Sequence, residues 1–166
     1  MIRDDLTKVH IDLPNHWATG GEAMWATLLG GNRYRIENVP FYAYNLNYGD
    51  VVEAVASAPD RKPSVMRVVA RSGHRTIRVF FKEATEENER LTRLKSLGDL
   101  KVTFERCNDR YFALDLEPEA DLNTVRDRLD VWESEGIAEY ETCEARSPGS
   151  FDDARKADSP PSNGEL

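Results

Sequence analysis

The residues of this chain most capable of chemistry are a serine and a histidine separated by one glycine, Ser72 and His74. A serine acts as a nucleophile only when a base lies within about 3 Å of its hydroxyl and a third group orients that base. The Gly-x-Ser-x-Gly motif, which exposes a nucleophilic serine at a strand-to-helix turn, does not occur in the sequence. We therefore expect Ser72 and Gly73 to form a turn, with Ser72 and His74 as candidate ligand contacts.

An aspartate that follows a glycine is the second candidate. Asp50 comes after Gly49 and precedes the apolar pair Val51 and Val52. Glycine can make the bend that leads into a strand, and the aspartate side chain can accept backbone N–H groups of the same loop. We expect this structural role for Asp50, with a catalytic acid as the alternative.

Arginine side chains occur beside both histidine and tyrosine. Arg75 and Arg78 follow His74, and Arg35 follows Tyr34. If the two halves of the chain pack together, these side chains would line an interdomain cleft, where small-molecule sites often occur. The alternative is a set of surface arginines whose aliphatic stems cover apolar neighbours. The candidate binding residues are Tyr34, Arg35, Asp50, Ser72, His74, Arg75 and Arg78.

The histidines and cysteines lack the spacing of a metal site. The chain contains His10, His16, His74, Cys107 and Cys143, and none of them forms a His-x-x-x-His or Cys-x-x-Cys pattern. A structural zinc ion requires four ligands. The glycine pairs precede no Gly-Lys-Ser/Thr and so do not indicate a phosphate loop. We expect no metal and no cofactor.

Charge is distributed unevenly and limits the choice of partners. Residues 1–73 hold 8 Lys+Arg and 8 Asp+Glu, whereas residues 74–145 hold 11 against 18, a net charge of −7. An acidic half repels phosphate backbones, so nucleic acid is disfavoured as a partner. No apolar run approaches the roughly 20 residues that span a membrane, and no secretory signal is evident at the N-terminus. We expect a cytoplasmic protein.

The first half alternates apolar and polar residues and turns often, which predicts strands. Gly30 and Gly31 mark a hairpin, because glycine reaches positive φ without penalty. The predicted strands lie at 9–13, 24–29, 33–36, 50–55 and 65–70. Five short strands with tight turns predict a small β-barrel-like half over residues 8–73.

The second half changes to a helical period between strands. Strands are predicted at 75–81, 100–104, 111–116 and 137–143, and helices at 84–97 and 122–135. Thr85 is the expected N-cap of the first helix and Gly98 its stop. The second helix carries its apolar stripe on Leu122, Val125, Leu129 and Trp132.

This βαββαβ order predicts a ferredoxin-like half over 74–145. Both helices should cover one face of the sheet, with the second and fourth strands at opposite edges. Cys107 and Cys143 should then be too far apart for a disulfide, which needs Cα atoms within about 7 Å. Residues 146–166 are rich in serine, proline and glycine and predict a disordered tail. The predicted fold class is α+β.

Several motifs together resemble a known bacterial family. They are Glu22 with Trp25-Ala26, Tyr34, Asn38-Val-Pro-Phe41, Gly49-Asp-Val-Val52 and the run from Ser72 to Val79. The combination resembles the family called domain of unknown function 4265, over most of residues 8–143. The resemblance implies no activity and no functional residue.

The absence of a catalytic constellation favours a non-enzymatic module that binds a protein or a small ligand. One form is an inhibitor or immunity-type protein whose acidic face covers a basic enzyme, because complementary fields speed association. The alternative is an enzyme that uses His74 as its base, with Asp50 and nearby arginines in an interdomain cleft. Nucleic-acid binding by the front half is a third hypothesis. For RNA the aromatic signature is missing, although Phe80 and Tyr111 could present their rings on the open sheet face.

Overall fold

The computed structural model describes residues 5–14, 16–142 and 144. In the front half the strands are β1 (Leu6–Asp12), β2 (Gly21–Gly30), β3 (Arg33–Ile36), β4 (Val51–Val55) and β5 (Ser64–Ala70). They pair antiparallel in chain order, and β5 returns to β1 through a parallel contact of Ser64 with His10. The five strands thus close on themselves, and we call this half the ring.

The interior of the ring is filled by apolar side chains from alternate strand positions. Val9 and Ile11 of β1 face inward, as do Met24 and Ala26 of β2, because side chains alternate between the two faces of a strand. Gly30 and Gly31 adopt positive φ in the β2–β3 hairpin, as the sequence predicted. All five predicted strands are present.

The second half contains β6 (Arg75–Phe81), α1 (Glu87–Ser96), β7 (Val102–Arg106), β8 (Tyr111–Leu116), α2 (Leu122–Ser134) and β9 (Ala138–Thr142). The four strands form one antiparallel sheet in the order β7-β8-β6-β9. The second and fourth strands of this half are therefore its edges, as predicted. The molecule is a mixed α+β protein.

Both helices cover the same face of this sheet. Leu94 of α1 and Trp132 of α2 are buried in one cluster with Ile77, Val79 and Phe81 of β6. The Asp121 carboxylate caps α2 by accepting the N–H groups of the first turn. The apolar stripe predicted for α2 is therefore confirmed, both in its position and in the helix face that is buried.

The start of α1 differs from the prediction. The helix begins at Glu87, and its N-cap residue Glu86 makes no side-chain cap. Thr85, the expected cap, is buried and donates its hydroxyl proton to the Ile137 carbonyl, 3.3 Å away. The prediction was wrong here because a tertiary contact takes the hydroxyl that local propensity would use. A 3₁₀ turn at Leu97–Leu100 follows α1 and includes the expected stop at Gly98.

The other face of the sheet carries the ring. The long loop between β3 and β4, residues 37–50, lies across it. Arg78 of β6 donates from Nη1 to the carbonyls of Ala43 (2.8 Å) and Pro40 (3.3 Å). The Thr76 hydroxyl donates to Asn47 Oδ1 at 2.9 Å, and Glu105 accepts the Val39 N–H at 3.2 Å. We call this contact the junction.

Two predictions lie outside the described residues. The tail at 146–166 is one, and the pairing state of Cys143 is the other. Cys107, at the end of β7, is a free thiol.

Candidate functional site

Two hollows border the junction, and the larger is aromatic. It has a volume of about 490 Å³. We call it the aromatic cleft. Its lining comes from the loop before β2, the loop after β3 and the open sheet face, and consists of Trp17, Ala18, Tyr42, Arg78, Phe80, Asn108, Tyr111, Glu139, Tyr140 and Glu141. Loops of the ring and strands of the sheet therefore build it together.

Two stacked tyrosines lie in the wall of the cleft. The rings of Tyr42 and Tyr111 are 5.8 Å apart and 19° from parallel, and Phe80 contacts Tyr111 at 6.5 Å. The Tyr111 hydroxyl donates to the Phe41 carbonyl, and the Tyr42 hydroxyl lies 3.7 Å from the Cys107 Sγ. Burial raises the pKa of Tyr111 above its usual range, because the ionised form would lose solvation. Both hydroxyls are thus engaged by the protein, and the rings offer the cleft their carbon surfaces.

Trp17 forms the outer wall and is held by a histidine. The indole N–H donates to the Tyr44 hydroxyl at 3.0 Å, while 67% of the residue remains exposed. His16 stacks between Trp17 (5.3 Å) and Tyr44 (5.7 Å). Its Nδ1 accepts the Ala18 N–H at 3.0 Å and its Nε2 lies 2.9 Å from the Tyr42 carbonyl. This arrangement requires the neutral ring with its proton on Nε2.

The surroundings of His16 agree with that tautomer. Burial lowers the pKa of His16, and the nearby Arg78 guanidinium lowers it further. The hydrogen bond to the Tyr42 carbonyl and the Glu141 and Glu22 carboxylates act in the opposite direction, and the net shift is downward. A protonated ring would have no lone pair for the Ala18 N–H. The loop that carries Trp17 is therefore built around an uncharged histidine.

Carboxylates supply most of the charge at the cleft. Glu141 accepts from Arg78 Nε at 3.1 Å through one oxygen and from the Tyr44 hydroxyl at 2.7 Å through the other. Glu139 accepts from Lys82 at 2.7 Å at the exposed rim. Because Arg78 is paired inside the protein and is only 1% exposed, its charge is largely compensated before any ligand arrives.

The smaller hollow lies at the opposite end of β6. It has a volume of about 250 Å³, and we call it the His74 pocket. Its lining consists of Asn45, Asn47, Arg71, Gly73, His74, Arg75 and Glu144. His74 donates from Nδ1 to the two carboxylate oxygens of Asp115, at 2.8 and 3.0 Å, and the Tyr48 ring lies edge-on at 5.2 Å. Nδ1 is thus fixed, and Nε2 is the nitrogen available for other contacts.

Asp115 stands on the strand next to β6 and is almost buried. Burial raises the pKa of Asp115, and the hydrogen bond from His74 lowers it. A carboxylate that orients one imidazole nitrogen is the usual support for a histidine that exchanges protons. The sequence analysis did not select Asp115 as a site residue, since its partner is 41 positions away.

Asp50 is the centre of a loop and does not contact His74. It is fully buried and accepts the N–H groups of Asn47 at 3.0 Å and Ser72 at 2.9 Å, and Arg71 Nη1 at 3.2 Å. Ser72 in turn donates to the Tyr48 carbonyl at 2.6 Å. These contacts are the structural roles expected from the sequence. Neither side chain is placed to act as an acid or a nucleophile toward the pocket.

The remaining predicted residues are scattered. Tyr34 packs partly buried against the ring core, and Arg35 donates to Glu37 at 3.0 Å. Neither lines the cleft or the pocket. Arg75 lines the His74 pocket, whereas Arg78 lies in the junction and reaches the aromatic cleft. The candidate binding residues are therefore divided between the two hollows and the ring.

Sequence reasoning missed Trp17 and Tyr42 as site residues. Both lie in loops between strands, and an exposed tryptophan in a short turn is the signal that could have found Trp17. Phe80 and Tyr111 lie opposite each other on the sheet face that carries the ring, and both line the aromatic cleft. Within residues 5–14, 16–142 and 144, no group of three or more His, Cys, Asp or Glu side chains is placed to hold a metal ion. In the same residues the longest helices fall short of the length and apolarity needed to cross a bilayer.

The comparisons with known proteins identify a family and a fold. The family described as "Domain of unknown function (DUF4265)" matches residues 22–140, and the chain belongs to it. This span includes Tyr42, Phe80, Tyr111 and His74, and it leaves Trp17 outside.

A crystal structure of a hypothetical protein from Neisseria gonorrhoeae has a similar fold. The TM-score is 0.69 at 16% identity, over 85% of this chain and 98% of the other. At this identity the likeness concerns the fold alone. The search of curated proteins found no match.

Proposed function

We propose that this protein is a binding module and that the aromatic cleft is its ligand site. One observation supports this most directly: Trp17 and Phe80 stay exposed beside a wall of stacked tyrosines whose hydroxyls are already engaged. Exposed aromatic surface in a concave site is the usual basis of recognition, because it adds apolar area with little conformational cost. The partner is a protein or a small ligand.

The cleft offers contacts without a catalytic group. Its one histidine neighbour, His16, uses both nitrogens inside the protein. Its carboxylates accept from Arg78, Tyr44 and Lys82. A non-enzymatic role is therefore favoured for this site. An inhibitor or immunity-type protein is one form of it, since a half with net charge −7 would attract a basic partner.

A pair of tryptophan variants tests this function. Trp17→Ala removes the outer wall of the cleft, and Trp25→Ala removes an exposed tryptophan of the ring outside it. Tagged wild type and both variants are used as baits at low salt, with partners identified by mass and stoichiometry. We expect one stoichiometric partner that Trp25→Ala keeps and Trp17→Ala loses. Equal retention by both variants would remove the cleft from the proposal.

For the fold, we propose that the sheet half is ferredoxin-like and that the ring is a small barrel. The order β7-β8-β6-β9 with two helices on one face supports the first assignment. The parallel contact of β5 with β1 supports the second. The same contacts support a division near residue 73, between 8–73 and 74–145.

An enzyme is the second candidate function, and the His74 pocket favours it. The hydrogen bonds to Asp115 fix one imidazole nitrogen of His74, which leaves the other for a substrate. Arg71 and Arg75 line the same pocket. In this hypothesis Asp115 replaces Asp50 as the supporting carboxylate. A panel of ester and phosphoester substrates, assayed with wild type and His74→Gln, tests it; turnover that survives the substitution would contradict the role of His74.

A further inference from the structure

We infer that the aromatic cleft takes an organic cation, of the guanidinium or ammonium type, stacked on its rings. This inference rests on the proposed binding function and specifies the chemistry of the ligand. It applies equally to a free small cation and to an arginine or lysine side chain of a protein partner. Three observations carry it: the state of the rings, the contacts that Phe80 and the neighbouring Tyr44 already make with arginines, and the sign of the charge around the cleft.

The rings of the cleft are available mainly as π surfaces. The polar atoms of Trp17, Tyr42 and Tyr111 contact other parts of the protein. A ligand that lies against them therefore meets carbon faces with a negative quadrupole. Such faces attract cations within about 6 Å of the ring centre.

Two arginines of the chain already make this contact beside the cleft. The Arg110 guanidinium lies 4.9 Å from the centre of the Phe80 ring, and the Arg78 guanidinium lies 4.6 Å from that of Tyr44. Phe80 is 39% exposed and lines the cleft. The protein thus shows on its own side chains the geometry that a guanidinium ligand would adopt.

The charge around the cleft favours the same sign of ligand. Glu139 and Glu141 line it, Arg78 is the one cation among the described lining residues, and Arg110 lies just outside the lining on the Phe80 ring. Arg78 is nearly inaccessible and is held by Glu141, so it offers little repulsion at the surface. Lys82 offsets part of Glu139 at the exposed rim, where screening by water weakens the pair. The surrounding half, at net −7, adds attraction for cations at longer range.

The volume fits a ligand of this kind. A cleft of about 490 Å³ falls within the range of roughly 300–1,000 Å³ that holds small molecules. It accommodates an arginine-type side chain together with one aromatic ring. Nα-benzoyl-L-arginine amide has both groups, and Nα-benzoyl-L-citrulline amide has the same shape without the charge.

The test titrates both probes into the full chain and follows the indole N–H resonance of Trp17 by NMR. We expect saturable binding of the arginine probe and binding of the citrulline probe weaker by about tenfold, as a cation–π contact of 1–2 kcal/mol implies. Glu139→Gln should weaken the binding of the arginine probe a few-fold. Glu119→Gln removes the same charge from an exposed position outside the lining and should leave the affinity unchanged.

The outcomes separate the inference from the function beneath it. Equal affinity for both probes, lost in Phe80→Ala, would overturn the cation preference and leave a binding cleft. No binding of either probe, with wild type and Phe80→Ala both folded by circular dichroism, would overturn the inference and count against a small-ligand site. A peptide containing one arginine distinguishes the sources: tighter binding than the probe indicates a protein side chain, and equal binding indicates a free cation.

Discussion

The aromatic cleft and the His74 pocket, the two hollows beside the junction, present different chemical groups at their surfaces. In the aromatic cleft the polar atoms of Trp17, Tyr42 and Tyr111 face the protein, so ring surfaces face outward. In the His74 pocket a polar atom faces outward instead. Asp115 holds Nδ1 of His74, which leaves Nε2 available to a polar hollow. One hollow thus presents mainly ring carbon, and the other presents the nitrogen of an oriented histidine.

Both hollows depend on the same sheet face, and different parts of the loop 37–50 support them. Glu22 organises the loop behind the cleft by accepting the N–H groups of Phe41, Tyr42 and Ala43 at 2.7, 3.2 and 3.0 Å. Asp50 organises the loop behind the pocket. In both places a buried carboxylate accepts hydrogen bonds from several backbone N–H groups. The comparison can therefore be broken at Arg78, which holds the junction between the two hollows, or sharpened at either part of this loop.

The largest effect is expected from Arg78→Ala, which should disrupt both hollows together. The substitution leaves two loop carbonyls without their donor and Glu141 without its cation, at a cost of about 4 kcal/mol of unfolding free energy. Urea denaturation measures the loss. Arg75→Ala, at an exposed position on the same strand, should change it by less than about 0.5 kcal/mol. A loss below about 1 kcal/mol for Arg78→Ala would show that the junction does not depend on it.

Glu22→Ala should damage the cleft and spare the pocket. Three N–H groups, that of Ala43 buried and those of Phe41 and Tyr42 partly buried, lose a charged acceptor, which we expect to cost about 3 kcal/mol. Glu53→Ala, which removes an exposed partner of Arg67, is the control and should cost less than about 1 kcal/mol. In NMR spectra of Glu22→Ala the Trp17 indole signal should move while the His74 ring signals stay. Equal shifts at both places would contradict separate support.

Gly49→Ala should damage the His74 pocket and spare the aromatic cleft. Gly49 has φ of +81°, and a Cβ there would lie 3.0 Å from the Ser72 Cβ and 3.9 Å from His74 Cδ2. Left-handed backbone with a close contact should cost about 2 kcal/mol and displace the His74 ring signals. Gly20→Ala has open space and should be nearly neutral. An unperturbed His74 in a destabilised Gly49→Ala protein would argue that the pocket does not need this loop.

Acidification through pH 6.5 should loosen the cleft, and this effect is the smallest. Because burial lowers the pKa of His16 below its ordinary 6.5, the unfolded chain binds the proton more readily than the folded one. The stability from neutral His16 is present above pH 6.5 and is lost as the pH falls below it. His16→Asn should flatten this part of the stability–pH curve, measured by urea denaturation. His10→Asn, whose ring contacts the exposed Asp12, is the control, and the same flattening in both variants would exclude His16 as the cause.

Much of the fold could be predicted from the chain. The strand positions follow from alternation and turn residues, and α2 follows from the spacing of Val125, Leu129 and Trp132. The structural roles of Gly49 and Asp50 also followed from local chemistry. The start of α1 did not, because Thr85 contacts the distant Ile137.

The site was predicted only in part. His74 and Arg75 line one hollow, but Tyr34 and Arg35 belong to the ring. Arg78, expected among ligand contacts, lies largely inside the junction. These residues were grouped partly because they are close in sequence. Closeness in sequence says little about which face of a strand a side chain occupies once a second layer covers the sheet.

The amino-acid sequence alone determined the order of strands and helices, their faces and the acidic charge of the second half, because periodicity and composition act over neighbouring residues. Only the tertiary structure decided that loop 37–50 lies on the sheet, that His74 meets Asp115 and that Trp17 and Phe80 line one cleft. Each of those contacts joins residues at least 29 positions apart. Their pairing depends on how the ring and the sheet pack, which no local pattern specifies.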